Sequence, residues 1–173
     1  MTTIAAAMQL LIAVAFVTIP LVRHRYGPAA QAAAERELER QGVPARVLAE
    51  NRLRFDAGGH ETAAPATVAL IMIVLAALNL AGHHWGEILS WTFMPLVLIG
   101  NGVILYSQLT ATRSVQAAFA RKNDPMLARV DVPAFLKASE EGFPRWVFPI
   151  LQNARHTAVF GGAAIALLAT ALA

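Results

Sequence analysis

Five histidines are the residues of this chain best equipped for chemistry. A neutral imidazole offers a lone pair to a haem iron or another metal and can carry a proton near neutral pH. Cysteine is absent, so disulfides, thiolate metal sites and thiol catalysis are excluded. Any metal would have to rest on imidazole and carboxylate ligands. His24, His60 and His156 fall at three apolar-segment ends of one side, and His83 and His84 at the other. The pair His60-Glu61 with His156 is the cluster to test for haem or metal. Transmembrane haem ligands sit well inside a bundle, however, and histidines at segment ends serve first as interfacial polar anchors.

A second constellation precedes the second apolar segment. Arg46, Asn51 and Arg52, taken with His60 and His156, would form a basic, amide-rich mouth. Guanidinium groups held at the edge of a low-dielectric bundle favour an anionic head, with an apolar tail left between the helices. These five are the candidate ligand-binding residues. The plainer reading of the neighbouring Glu35–Glu39 run, interleaved with Arg36 and Arg40, is a solvated, self-paired helix face. Small four-span glutathione and eicosanoid enzymes carry an Arg/Asn/Glu cluster before their second span. They keep Asn and Glu within about one helical turn. Here Asn51 and Glu61 stand ten residues apart, and the chain is not assigned to them. No phosphate loop, serine-nucleophile motif or HExxH is present, so no catalytic residue is nominated.

The apolar segments contain Gln9, Asn79, Asn101, Ser107 and Gln108. Depth sorts them. Gln9 lies seven residues past Thr2, about 10 Å along a helix, close to the level of Asn79, so an interhelical amide bond is expected there. Asn101 lies thirteen residues past Ile88, about 20 Å in, near the level of Gly161-Gly162, where small residues let backbones approach. No Asp, Glu, Lys or Arg falls inside a span as drawn below, which counts against a proton-coupled transporter or charge-lined pore.

The elements that must hold these groups follow from composition. The chain has 173 residues, 57% of them hydrophobic and 14% charged, too apolar for an ordinary soluble domain. All fourteen Lys and Arg residues lie within Arg23–Arg54 and Arg113–Arg155. Because basic loops stay cytoplasmic during insertion, this partition predicts N-out, C-out topology. The predicted fold is all-α, an integral-membrane four-helix bundle treated as one domain with short cytosolic amphipathic helices. Its spans are about 2–22, 63–82, 88–110 and 157–172, with cytosolic loops 23–62 and 111–156. The order of apolar run then Arg23, His24 and Arg25 is the reverse of a cleaved secretory signal.

Pro20 and Gly27 are read as the bend and exit of the first span, and Gly42 as the stop of a helix opening at Pro28. Pro44 opens a second helix that carries Val47, Leu48, Asn51 and Phe55 on one face. The first loop is thus a helical hairpin against the membrane. His83–Glu87 forms a five-residue outer turn. The third span continues through SVQAAFARK to Asp124-Pro125, and PAFLKASEE makes an amphipathic helix. Phe143–Pro149, with Trp146 and Arg145, is placed in the interface plane.

The net charge of +3 belongs to the loops and suits anionic headgroups, so nucleic acid is not an expected partner. The expected partners are the lipid bilayer and other membrane subunits or a second copy. Ala-rich, Lys-poor loops point to a bacterial inner membrane. The leading functional expectation is a non-catalytic accessory subunit of a larger membrane complex. It rests on the absence of charge in the spans and on small-residue faces at Ala5, Ala6, Ala13 and Ala158, Gly162, Ala166. The alternatives are a small membrane enzyme or binder of an anionic amphiphile, and a haem or metal subunit through His60 and His156.

Overall fold

The computed structural model describes residues 2–51, 53–56 and 58–172, leaving aside the side chains of His60 and Glu61. The chain is all-helical, 84% helix, with no strand among the described residues. Among the described residues six α-helices follow in order: α1 Thr2–Arg40, α2 Arg46–Glu50, α3 Gly59–Leu80, α4 His84–Lys122, α5 Val132–Glu141 and α6 Asn153–Ala171. A 3₁₀ turn, Leu127–Arg129, precedes α5, and a π-helical turn, Val147–Gln152, leads into α6. Four helical stretches among the described residues are long and apolar enough to cross a membrane: Thr2–Arg40, Thr62–Leu80, His84–Lys122 and Val147–Ala171.

Several boundaries differ from the sequence expectation. α1 runs unbroken through Pro20, Gly27 and Pro28. Proline's missing N–H is tolerated where neighbouring turns re-satisfy the freed carbonyls, and the strong helix formers after Pro28 carry the helix on. Gly42 does end the helix, in the left-handed region at φ 73°. Val43 N–H donates to Leu38 C=O at 2.9 Å and Gly42 N–H to Glu39 C=O at 2.9 Å, the paired closure of a Schellman cap. Gly82, at φ 63°, closes α3 in the same way through His83 N–H to Leu78 C=O at 3.0 Å. The turn between α3 and α4 is therefore shorter than expected, and α4 begins at His84. The second helix of the expected hairpin shrinks to Arg46–Glu50, so Phe55 lies beyond it.

The helix that carries the fourth apolar segment is longer than that segment. It reaches back to Val147 instead of starting at Thr157. Pro149 is accommodated because it sits in the first turn, where its N–H would be unpaired anyway, and because wider i→i+5 closure eases the ring's clash. Arg155 and His156 consequently lie inside the helix, about 12 Å from Val147.

Two compact units divide the chain. The first comprises Met1–Pro20, Gly59–Leu105 and Phe148–Ala173. Its core joins Ile12 and Phe16 of α1, Met72 and Leu75 of α3, Met94 of α4, and Val159, Ala163 and Ala166 of α6. Small residues set the α1–α6 approach: a Cβ on Gly162 would meet Ile12 Cγ1 at 3.3 Å. Gly162 thus packs on α1, whereas Gly102 and Gly161 have open space where a Cβ would go. Ala5, Ala6, Ala13 and Ala166 are buried in this bundle.

The second unit comprises Leu21–Gly58 and Tyr106–Val147. It gathers the two loops around their own core of Ala34, Leu38, Val47, Leu48, Phe119 and Phe135. Phe55 packs edge-on against Phe135, ring centroids 5.7 Å apart. Asp131 caps α5 by accepting from Ala134 N–H at 3.1 Å. Close backbone contacts knit the unit: a Cβ on Gly142 would collide with Ala30 Cα, and one on Gly27 would fall 2.7 Å from Phe55 O. The Gly27 that reads as an exit signal is a packing residue.

Candidate functional site

The polar side chains buried in the first unit form two groups. Gln9, Asn79 and Ser90 come together from α1, α3 and α4, all nearly inaccessible to solvent. Asn79 Nδ2 donates to Gln9 Oε1 at 3.0 Å, and Gln9 Nε2 donates to Ser90 Oγ at 2.8 Å. Asn79 Nδ2 also reaches Leu75 C=O at 3.0 Å and Ser90 Oγ at 3.1 Å. The Ser90 hydroxyl donates to Gly86 C=O at 2.6 Å. The expected Gln9–Asn79 bond is present. Ser90, which sequence reasoning passed over, is its hub. The helical spacing of Gly86 and Ser90 was the available signal, since a buried serine bonds the carbonyl four residues back.

His156 of α6 and Asn101 of α4 make the second group. Nδ1 of His156 lies 3.1 Å from Oδ1 of Asn101. Which of the two groups donates follows the imidazole tautomer; an Nδ1–H would donate to the amide oxygen. Phe160 stacks on the imidazole, centroids 6.4 Å apart. Asn101 Nδ2 is buried and finds no hydrogen-bond partner among the described residues. His156, one residue outside the apolar segment as counted from hydropathy, is the partner that α6 presents to Asn101.

The other nominated site residues are placed as follows. Arg46 lies on α2, with its guanidinium 3.6 Å from Glu50 and both groups exposed. Asn51 caps α2, giving its Nδ2 to Val47 C=O at 2.8 Å and accepting from Lys122 Nζ at 2.6 Å. Both belong to the second unit, and His60 and His156 belong to the first. Arg52 and the His60 side chain lie outside the described residues. Among the described residues no group of three or more His, Asp or Glu stands ready to hold a metal.

Electrostatics in the second unit are local. Arg40 grips Glu37 through two bonds of 2.7 and 2.6 Å. That pairing, helped by Gln41, holds the Glu37 carboxyl down at about 2. Arg54 grips Asp56 at 3.0 and 2.9 Å and lowers its carboxyl likewise. Tyr26 meets Trp146 edge-on at 6.4 Å, and the Arg25 guanidinium lies 5.8 Å from the Tyr26 ring.

Two cavities of the first unit divide room and polarity between them. One, about 70 Å³, has Thr2, Asn79, His83, His84, Glu87 and Thr170 among its lining residues. It has space for a water or two, far short of the several hundred Å³ of a small-molecule site. The other, about 350 Å³, lies among α1, α3 and α4 and is lined by apolar residues throughout, Phe16, Pro65, Phe93 and Gly100 among them. Comparison with family models, curated proteins and solved structures finds no match for this chain.

Proposed function

We propose that this protein is a small, non-catalytic accessory subunit of a larger membrane assembly, N-out and C-out in a bacterial inner membrane. The observation that carries this reading is the separation of room from chemistry. The polar cavity is too small for a substrate, and the roomy one holds no group able to activate one. The buried amides of α1 and α3 are engaged with each other and with Ser90, the arrangement of a structural fastener and not of a reactive site. The loops add a second packed core, a folded surface able to meet a partner.

Orientation is tested on a chain that lacks cysteine. Single cysteines at Thr3, Trp85 and Ala171 are expected to react with an impermeant thiol reagent outside intact cells, and those at Arg40 and Lys122 are not. Partnership is tested by purification in mild detergent followed by mass spectrometry. A stoichiometric membrane subunit is the expected companion. A protein that purifies alone with a bound amphiphile would transfer the assignment to the second reading, a binder of an amphiphile at the inner interface. What favours that second reading is the apolar cavity, which suits a hydrocarbon tail.

A further inference from the structure

The 350 Å³ cavity lies between α3 and α4, with Phe16 and Ile19 of α1 as its floor. Its α3 wall runs from Ala64 to Met72 and its α4 wall from Phe93 to Ile104. The tight turn at Gly82 joins these helices at the opposite end, and the space opens between them beyond it. All of its walls belong to the first unit. The eleven helical rises from Phe93 to Ile104 give it a length of about 16 Å.

Those dimensions choose the occupant. A stretch of helix of that length carries about fifty or more heavy atoms, several times what a cavity of that volume encloses. A partner helix does not fit. A cavity of about 150 Å³ accommodates one benzene ring, so this one holds about a dozen carbons. No lining residue carries a polar side chain, so no ring, head or hydroxyl would be recognised there. Leu96, in the wall, is 56% exposed, and the neighbouring Leu70, Ile99 and Val103 are exposed apolar residues. The cavity is therefore continuous with the lipid-facing surface. We infer that it is a seat for one acyl chain of a bilayer phospholipid, drawn in sideways between α3 and α4. Burying the chain there fills a void whose walls would otherwise lose their dispersion contacts. The inference rests on the membrane placement proposed above.

The test uses the full-length protein in phosphatidylcholine vesicles doped with a phosphatidylcholine that bears a photoreactive diazirine midway along one acyl chain. Adducts are mapped by peptide mass spectrometry. The expected result is enrichment on Val68, Ile71 and Phe93 over the lipid-facing Leu70 and Val103. Gly100 offers a plug: a Cβ there meets nothing within 4 Å, so Gly100→Phe should fit and abolish the Ile71 and Phe93 adducts. Gly100→Ala should keep them. Unchanged labelling of Leu70 and Val103 in both variants reports intact insertion. Equal labelling of Ile71 and Leu70 in the native protein, or persistence of Ile71 adducts in Gly100→Phe, would overturn the acyl-chain seat. Absence of adducts at Leu70 and Val103 as well would instead overturn the membrane placement beneath it.

Discussion

Replacing Ser90 by alanine removes one oxygen, and the geometry assigns it a cost larger than one hydrogen bond. Ser90 Oγ accepts from Gln9 at 2.8 Å and from Asn79 at 3.1 Å and donates to Gly86 at 2.6 Å. In Ser90→Ala, Asn79 keeps Gln9 Oε1 and Leu75 C=O as acceptors, and the Gly86 carbonyl stays in the helix ladder. Gln9 Nε2 loses its acceptor in a site where Gln9 is fully buried. An orphaned buried donor costs about 1–3 kcal/mol. Measured interhelical bonds in a bilayer average about 0.6 and reach about 1.7 kcal/mol, because the unfolded chain also finds partners. The expected loss is therefore about 1–2 kcal/mol. If it arises from the stranded amide, it should shrink when the amide is gone. In a Gln9→Met background the same substitution should cost about 1 kcal/mol less. Equilibrium unfolding of the purified protein in bicelles, driven by added denaturing detergent and followed by tryptophan fluorescence, measures all four corners of the cycle. Additive costs, or a Ser90→Ala variant as stable as the native protein, would refute the reasoning.

Three further outcomes are expected. Glu37 should titrate near pH 2 by carboxyl NMR against an ordinary value of 4.5. Because its folded value is depressed, its stabilising contribution is fully present above the ordinary value and is lost as pH falls through about 2. Arg40→Gln should return the titration toward the ordinary range. Gly142→Ala should destabilise the second unit by about 1–3 kcal/mol, because the contact is with the Ala30 backbone and not with a yielding side chain. Faster amide exchange in α5 would report it. Phe135→Ala, at a site with 0% exposure, should cost about 3–5 kcal/mol, read as early unfolding of the second unit with the Gln9–Asn79 network intact.

Hydropathy alone determined that this is an all-helical chain with four segments able to span a membrane, because an apolar run of that length satisfies its backbone only as a helix. Depth counting from segment ends was enough to pair Gln9 with Asn79, since helical rise is fixed. Glycine stops at Gly42 and Gly82 were also legible, because left-handed caps follow from backbone sterics. Where proline and glycine have two meanings, sequence failed. Pro149 read as the end of an interfacial segment but sits in a helix's first turn, which places Arg155 and His156 within α6. Gly27 read as an exit but admits the Phe55–Asp56 backbone. Only tertiary packing could decide these cases, because each depends on which backbone lies opposite. The same holds for the two new features, Ser90 at the centre of the amide network and the apolar cavity. A hydroxyl gains its role from partners 81 and 11 residues away, and a cavity exists only in the distance between helices that no local pattern encodes.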